Sequence, residues 1–277
     1  MVGDRVEIVM AQEGTWHIEN VAPRNSIIFR NLPRTHEQKV IAANVDAVLI
    51  IVSAGLPTYK RGLVDRYLVR AQQWGLPALV VFNKMDLYEK DFDMDFEVAR
   101  LEKIGVICFE VCAQEPNRIP QYMSNGMNEL HAKLKGNTAI LLGQSGVGKS
   151  RLIKELSGGA ADLLSNELGK VGKGQHTTTW AELVDCRDFT LVDSPGVRSM
   201  SLSDLTEEEL LTCFPDVAEH ATKCKFSNCT HAEGVKGCWF NALKAEDQSS
   251  RLVLSRLDSF KRILAEVKDI PDWEKEP

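Results

Sequence analysis

One stretch decides the fold of this chain: Gly143-Gln144-Ser145-Gly146-Val147-Gly148-Lys149-Ser150. An apolar run over residues 138–142 comes directly before it, and a helical pattern follows Lys149. Its glycines allow the backbone to wrap round a phosphate with N–H groups pointing inward, and the helix N-terminus adds a favourable dipole. The spacing and this context predict a nucleotide-binding loop, in which Lys149 bridges the β- and γ-phosphates and Ser150 ligates Mg²⁺. The alternative is a glycine-rich strand–helix turn that binds nothing.

Strand and helix patterns alternate before this loop and continue after it. Buried strands are predicted at residues 47–52, 78–82, 106–111, 138–142, 180–185 and 189–192, and helices at 62–74 and 126–135. Alternation of this kind predicts an α/β fold with a parallel-rich sheet and helices on both faces. Beyond residue 201 the strand pattern stops. A capping box from Thr206 to Glu209 opens a helix there, and residues 252–267 form an amphipathic helix.

The first 34 residues have a different pattern, with short strand-like runs at 5–10, 15–21 and 26–30 separated by turn residues. This resembles part of a small β-barrel, but even a five-stranded barrel needs more strands. We therefore expect either an N-terminal domain that has lost part of its barrel or a sequence that begins late.

A second motif, Asn83-Lys84-Met85-Asp86, directly follows the predicted buried strand at 78–82. That position is the carboxyl end of a strand, where α/β sheets bind ligands. A carboxylate at Asp86 can accept hydrogen bonds from N1–H and the exocyclic amine of guanine, whereas adenine would leave it unpaired. Asn83 can donate to N7 and orient the loop, and the Lys84 stem can cover the base. The short motif also occurs by chance on surface turns, so its position after a strand is what favours guanine.

Cys112-Ala113 ends the next predicted strand and lies where GTPases carry Ser-Ala or a similar pair. The backbone N–H of Ala113 is expected to donate to guanine O6. Cys112 replaces the usual serine, which departs slightly from the pattern.

Asp193-Ser194-Pro195-Gly196 ends the last predicted strand of the sheet. Asp193 is expected to hold Mg²⁺ through water, and the Gly196 N–H to sense the γ-phosphate. Alone, this is also a good turn sequence. The glycine-rich run before it ends in Thr177-Thr178-Thr179, from which Thr178 or Thr179 is expected to complete the Mg²⁺ shell.

The residue after this turn is Val197, where Ras-like enzymes carry the glutamine that orients the attacking water. Valine cannot do so, which predicts slow intrinsic hydrolysis. His176 is our candidate for positioning the water, and the alternative is a histidine that only packs in a switch loop.

The order of the motifs is itself informative, because the guanine motif precedes the phosphate loop and Asp193–Gly196 comes last. An ordinary GTPase has the phosphate loop first. The same sheet can form when the chain ends are relocated, since permutation of this kind is tolerated. The sequence therefore predicts a circularly permuted GTPase domain.

Composition sets broad limits on the remaining possibilities. The chain has 277 residues, a formal charge of −6 and 44% hydrophobic residues, values ordinary for a globular protein. No apolar run is long enough to span a bilayer and no signal-peptide pattern is present, which favours a cytoplasmic protein without a membrane partner. The net charge gives no general attraction to nucleic acid, so RNA contacts would need local patches such as Arg24, Arg30, Arg34 and Lys39. These residues also fit an ordinary solvated surface.

Three of the seven cysteines, Cys224, Cys229 and Cys238, lie close to His231. Three thiolates and one imidazole form a closed set suited to one structural Zn²⁺ in a reducing compartment. The spacing is not that of a common zinc finger, so buried thiols remain the alternative.

Together these motifs resemble the RsgA family of bacterial GTPases that depend on the small ribosomal subunit. The resemblance rests on the permuted order, on Gly174-Gln175-His176-Thr177-Thr178-Thr179, on Asp193-Ser194-Pro195-Gly196-Val197-Arg198 and on the Cys/His cluster, and it extends back to Gly3. It implies a partial OB-fold over 1–35, a permuted GTPase domain over 36–200 and a mostly helical zinc domain over 201–277. The zinc ligands of the family fall on the four Cys and His positions, although the gap before Cys238 is one residue longer than usual.

The resemblance implies GTP or GDP, Mg²⁺ and one Zn²⁺ as ligands. It implies that the protein is a monomer whose partner is the small ribosomal subunit with its rRNA. The nucleotide site it implies contains Asn83, Lys84, Met85, Asp86, Cys112, Ala113, Gly143, Gln144, Ser145, Gly146, Val147, Gly148, Lys149, Ser150, Arg151, Thr178, Thr179, Asp193 and Gly196. The expected function is GTP hydrolysis that times release from the maturing subunit. Two alternatives stay open: a nucleotide-gated binding module with incidental turnover, and an ATP-using kinase, which would leave Asn83 and Asp86 unexplained.

Overall fold

The computed structural model describes residues 1–11, 14–31, 38–88, 92–159, 181–193 and 202–268. The strands in this part of the chain are β1 (Val6–Met10), β2 (Trp16–Val21), β3 (Ile27–Asn31), β4 (Gln38–Ala43), β5 (Ala47–Ser53), β6 (Ala78–Asn83), β7 (Ile107–Glu110), β8 (Thr138–Leu142), β9 (Glu182–Asp185) and β10 (Thr190–Asp193). The helices are α1 (Arg61–Gln73), α2 (Met94–Glu102), α3 (Met127–Leu134), α4 (Lys149–Leu156), α5 (Glu207–Thr212), α6 (Pro215–Ala221) and α7 (Gln248–Lys268). Short 3₁₀ turns lie at Met85–Leu87 and Phe240–Ala242.

A six-stranded sheet in the order β7-β6-β5-β8-β10-β9 forms the centre of the fold. All its neighbouring pairs are parallel except β9 with β10. All seven residues of β5 are buried, as expected of a central strand covered on both faces. Alternate β5 residues face opposite layers: Val48 and Ile50 pack with α1 and α2, whereas Leu49 and Ile51 pack with α3 and α4. The predicted α/β fold is thereby confirmed.

The carboxyl-terminal part is helical, as its sequence predicts. The capping box forms at the start of α5, where the Glu209 N–H donates to Thr206 Oγ1 at 3.2 Å and the Thr206 N–H donates to Glu209 Oε2 at 2.8 Å. A separate apolar cluster includes Leu210, Phe214 and Phe260 from this part and Val69 from α1. The helical part is therefore packed directly on the sheet domain through α1.

A group of buried charges joins α1 and α2 to α7. Asp65 of α1 accepts hydrogen bonds from Arg100 of α2 at 2.7 Å, from Arg256 of α7 at 2.8 Å and from the Ser259 hydroxyl. The side chains of Asp65 and Arg100 are fully buried. Glu97 receives a further hydrogen bond from Arg100 Nε at 3.1 Å. Because buried charges are costly unless paired, this cluster fixes how the two parts sit together.

The amino-terminal strands form two separate antiparallel pairs, β1 with β2 and β3 with β4. Every residue of β1 and β2 is exposed, whereas Ile28 of β3 and Ala42 of β4 are buried against the sheet domain. The three strands predicted here are present within about one residue. Strand β4 was not predicted, since Gln38 and Lys39 make its start look like a loop. The β3–β4 pair spans the expected domain boundary at residue 35, and that boundary stays a prediction.

The remaining predicted elements match the structure with small differences at their ends. Val106 and Val111 lie outside β7, and α7 begins four residues before the predicted start at 252. Helices α2 and α6 were missed, and Trp180 lies outside the described residues. In the described part of the chain, no helix is long and apolar enough to cross a membrane.

Candidate nucleotide site and metal centre

The carboxyl ends of five parallel strands meet along one edge of the sheet and bring the predicted motifs together. Strand β6 ends at Asn83, and the phosphate loop follows β8. Strand β7 is followed by Cys112 and Ala113, and β10 ends at Asp193. Asp193 lies opposite Leu141 of β8, two residues before the loop begins. Segments far apart in sequence therefore form one site at the edge where such sheets bind ligands.

The phosphate loop is held closed by its own lysine. Lys149 Nζ donates to the carbonyl oxygens of Gly143 at 2.6 Å and Gln144 at 3.1 Å, which places the ammonium inside the turn of the loop. Val147 is buried beneath the loop, whereas Ser145 and Ser150 are exposed on it. Helix α4 begins at Lys149, so its N-terminus points towards the same turn. This arrangement suits an anion held by backbone N–H groups, a dipole and an ammonium.

Asn83 connects the guanine motif to the phosphate loop. Its Nδ2 donates to the Val147 carbonyl at 3.0 Å, and its Oδ1 accepts from the Ala113 N–H at 3.1 Å. The side chain is 1% exposed, so these bonds are shielded from water. Gly148 makes the close approach possible, because a Cβ there would lie 2.5 Å from Asn83 Nδ2 and its φ is +95°. Both features favour glycine at this position.

Two groups expected to bind guanine also make hydrogen bonds within the protein. Asn83 is expected to donate to N7, and in the structure one N–H of its amide already donates to Val147 while its Oδ1 accepts from Ala113. The Ala113 N–H was expected to reach O6 and here is hydrogen-bonded to Asn83. Arg151 lies in the same region, with its Nε donating to the Ala113 carbonyl at 3.3 Å. The structure thus gives these residues a role in joining the loops, and their contact with the base stays a prediction.

Asp86 is exposed at the mouth of the site, and Met85 beside it is buried. Its carboxylate Oδ1 lies 3.1 Å from the thiol of Cys112, which is 2% exposed. Burial and the hydrogen bond with Asp86 raise the pKa of the Cys112 thiol, although nearby backbone N–H groups act in the opposite direction. At neutral pH the sulfur therefore carries its proton and donates to the carboxylate.

Lys84 adopts a left-handed backbone conformation, with φ +60° and ψ +43°. Its Nζ donates to the Leu56 carbonyl at 2.7 Å, so its stem extends from the turn after β6 to the loop after β5. Leu56 was not predicted as part of the site, and it contributes only a backbone carbonyl. Because every residue has a backbone carbonyl, the side chain of Leu56 could not indicate this contact in the sequence. Four predicted residues, His176, Thr178, Thr179 and Gly196, lie outside the described residues.

Comparison with known proteins fits this geometry. Residues 21–203 match the family model described as RsgA GTPase. A protein of Bacteroides fragilis named small ribosomal subunit biogenesis GTPase RsgA is 32% identical over 236 residues, covering 84% of this chain and 74% of its own length. A protein of the same name from Shewanella oneidensis is 33% identical over 279 residues, covering 97% of this chain and 75% of its own length. The chain belongs to the RsgA GTPase family.

Solved structures agree with the permuted fold of this RsgA family member. The crystal structure of YjeQ from Thermotoga maritima superposes with a TM-score of 0.70 and 27% identity, over 98% of this chain and 85% of the other. YloQ, described as a circularly permuted GTPase, superposes with a TM-score of 0.68 over 100% of this chain and 82% of its own. Its identity of 22% supports the fold alone. Membership of this GTPase family implies GTP and GDP as ligands, with Mg²⁺ as the accompanying ion.

The second centre lies in the helical part, where Cys224, Cys229, His231 and Cys238 place their ligand atoms within 4.8 Å of one another. The sulfurs of Cys224 and Cys238 lie 3.5 and 3.8 Å from His231 Nδ1. With metal–ligand bonds of 2.0 to 2.3 Å, a tetrahedral Zn²⁺ requires ligand atoms to be roughly 3.5–3.8 Å apart. Burial and Lys261 lower the pKa of His231, which keeps the imidazole neutral as a ligand must be. The residues therefore fit one structural zinc ion.

Three neighbouring contacts support the metal centre. The Trp239 N–H points at Cys224 Sγ from 3.4 Å, the kind of outer bond that stabilises a thiolate ligand. Lys261 of α7 donates to the His231 carbonyl, and the His231 ring packs against Phe240 at 4.9 Å. A metal here would fix the loop against α7 and Phe240. With four protein ligands it leaves no open position for catalysis.

Proposed function

We propose that this protein hydrolyses GTP during late maturation of the small ribosomal subunit, and that hydrolysis times its release from that subunit. The observation that carries the proposal is the Asn83 side chain, which bonds both the phosphate loop and the Ala113 backbone. These two bonds join the segment that carries Asp86 to the loop that carries Lys149, which supports a single nucleotide site. Relatives named small ribosomal subunit biogenesis GTPase support the biological role.

In this site Asp86 reads the guanine edge and the Lys84 stem covers the base. Lys149 and the backbone of the phosphate loop neutralise the phosphates, with Ser150 and Asp193 holding Mg²⁺. When bound there, the ion would supply positive charge to the phosphates of GTP. We assign Thr178 or Thr179 to the same ion, Gly196 to the γ-phosphate and His176 to the attacking water.

We further propose that the protein acts as a monomer in the cytoplasm and contacts rRNA. Arg30 and Lys39 face each other across the β3–β4 pair, and both are exposed. Paired cations at the exposed end of this strand pair suit contact with phosphodiesters. The proposed domains are residues 1–35, 36–200 and 201–277.

Guanine recognition by Asp86 is tested by changing it to asparagine. An asparagine offers one donor and one acceptor, which match the N1–H and O2 carbonyl of xanthine rather than the two donors of guanine. The Asp86→Asn variant should lose GDP affinity by a factor on the order of 10⁴ and bind XDP instead. Retention of GDP binding in this variant would remove Asp86 from the site.

The ribosomal role is tested by multiple-turnover phosphate release with and without purified small subunits. Strong stimulation by small subunits, and none by large subunits, is expected. Use of Asp86→Asn with XTP in the same assay shows whether the stimulated activity belongs to this protein. If small subunits bind the GTP form but leave turnover unchanged, the protein is a nucleotide-gated binding module.

A further inference from the structure

A cavity of about 160 Å³ lies where the sheet domain meets the helical part. One wall comes from α1 and from the connections that precede β6 and β7, and the other comes from the start of α6 and from α7. Ala78, the first residue of β6, lines the cavity, whereas Asn83, the last, lies in the nucleotide site. A strand of six residues spans about 20 Å, so the two sites are separate.

The cavity has an apolar floor and an open mouth. Leu68, Ala71 and Val106 line the floor and are buried. Gln72 of α1 and Pro215 of α6 lie at the mouth and are exposed. Packed protein interiors leave few voids larger than a water molecule. This junction therefore contains a space that the protein itself does not fill and that a small molecule can enter from solvent.

Asp216 and Arg256 provide a polar region in the wall. Arg256 Nε donates to Asp216 Oδ2 at 2.9 Å and Arg256 Nη2 to Oδ1 at 3.3 Å, and the guanidinium lies over the Phe214 ring at 4.5 Å. These contacts fix the carboxylate of Asp216, whose side chain is 22% exposed. Each carboxylate oxygen has two lone pairs and can accept a second hydrogen bond. The wall therefore offers an oriented acceptor to a molecule in the cavity.

The charges around this acceptor are already balanced. The ion-paired cluster that includes it has three guanidinium groups and three carboxylates, namely Arg61, Arg100, Arg256, Asp65, Glu97 and Asp216. A charged molecule would lose its hydration on entering the cavity and would find no unpaired counter-charge in this cluster, which is costly. The cavity therefore favours a neutral molecule.

The size of the cavity sets the size of its occupant. Apolar cavities of roughly 150 Å³ bind benzene, so one six-membered ring fits the space. An N–H or O–H group on that ring can donate to Asp216, and a hydrogen bond to an ionised oxygen is stronger than one between neutral groups.

We infer that this cavity binds a neutral, mostly apolar single-ring compound that carries one O–H or N–H donor, of which phenol is the simplest example. The inference goes beyond the proposed function and does not depend on it. A bound ring contacts both α1 and α6, so it stabilises the packing of the helical part on the sheet domain.

The test is a methyl NMR titration of the full chain with phenol. Signals of Leu68, Ala71 and Val106 should shift and saturate with a Kd on the order of 1 mM, as expected for a ligand of this size. Benzoate, which has a similar ring and a charge, should not bind. Saturating GDP should leave the phenol affinity unchanged, because the two sites are separate.

Variants identify the site and the acceptor. Ala71→Leu fills the floor and should abolish phenol binding, and Ala132→Leu, at an exposed position of α3, is the matched control. Ala78→Val fills the cavity from β6 and decides the question if Ala71→Leu does not fold. Asp216→Asn removes the charged acceptor and should weaken phenol about fivefold while toluene, which has no donor, binds as it does to wild type.

Three results would overturn the inference. The first is a set of shifts that never saturates, which would mean that the cavity holds only water. The second is phenol binding that the folded cavity-filling variants leave unchanged or that GDP abolishes. The third is benzoate binding as tight as that of phenol, or an equal effect of Asp216→Asn on phenol and toluene, since either would exclude a neutral donor as the group recognised.

Discussion

Replacing Asp65 with asparagine should test whether the buried charge cluster holds the sheet domain and the helical part together. The change preserves the size of the side chain and removes its negative charge. Asp65 Oδ1 lies 2.7 Å from Arg100 Nη1 and 2.8 Å from Arg256 Nη1, and both guanidinium groups are at least 95% buried. An asparagine would leave the buried guanidinium groups of Arg100 and Arg256 without the negative charge that both now share.

The size of the effect follows from the remaining partners. Removing one member of a buried ion pair costs about 3–5 kcal/mol. Arg100 keeps Glu97 at 3.1 Å and Arg256 keeps Asp216 at 2.9 Å, so the loss should lie near the lower value, about 3 kcal/mol. At roughly 2–4 °C per kcal/mol for a chain of this size, the Tm should fall by about 6–12 °C.

Urea unfolding followed by tryptophan fluorescence measures this loss, and Asp258→Asn is the matched control. Asp258 lies on α7 and pairs with Arg262 at 3.0 Å, with both side chains exposed. An exposed pair of this kind contributes little, so the control should unfold close to wild type. If Asp65→Asn is no less stable than Asp258→Asn, the cluster does not stabilise the fold and the reasoning is refuted.

The same cluster predicts a pH dependence. Burial alone would raise the pKa of Asp65, but Arg100 and Arg256 outweigh it and hold the pKa below its usual value. A carboxyl with a lowered folded pKa stabilises the fold fully above its unfolded pKa, about 3.9, and loses that contribution as pH falls through the folded pKa. The stability difference between wild type and Asp65→Asn should thus be constant from about pH 8 to 5 and shrink below about pH 4. A difference that grows on acidification would contradict this.

Three further predictions concern the two sites. Gly148→Ala places a Cβ 2.5 Å from Asn83 Nδ2 at a φ of +95°. It should weaken GDP binding on the order of 30-fold in a nucleotide titration. Gly136→Ala, in an open turn, is the control. Cys238→Ser should reduce zinc content from one ion per chain to near zero by elemental analysis and speed hydrogen exchange around Phe240, while GDP affinity stays at the wild-type value. His176→Ala should lower phosphate release in the presence of small subunits by about 10²-fold or more without changing GDP affinity; an unchanged stimulated rate would show that this histidine only packs.

The sequence specified the parts of the fold that depend on local pattern. Apolar runs of four or five residues, each followed directly by Asn83, Gly143 or Asp193, predicted buried parallel strands, and the structure has them. The Cys and His spacing predicted the metal centre, whose four ligand atoms the structure places together. Short motifs succeed here because a phosphate, a guanine and a zinc ion each demand particular residue types close together in sequence.

The buried charged residues of α2 could not be predicted in this way, because their partners are distant in the sequence. Glu97 and Arg100 interrupt the apolar pattern of α2, so that helix was not predicted, although both side chains are buried and bonded. Their partners Asp65 and Arg256 are 191 residues apart. No local pattern reveals that charges so distant will neutralise each other.

The order of motifs along the chain determined that this is a permuted nucleotide-binding fold with a metal-binding helical part. Only the tertiary structure decided how the site is connected: Asn83 bonds both the phosphate loop and the Ala113 backbone, and the Cys112 thiol meets the Asp86 carboxylate. The physical reason is that the sequence shows which hydrogen-bond donors and acceptors are present. Which of them pair when buried depends on which strands become neighbours in the sheet.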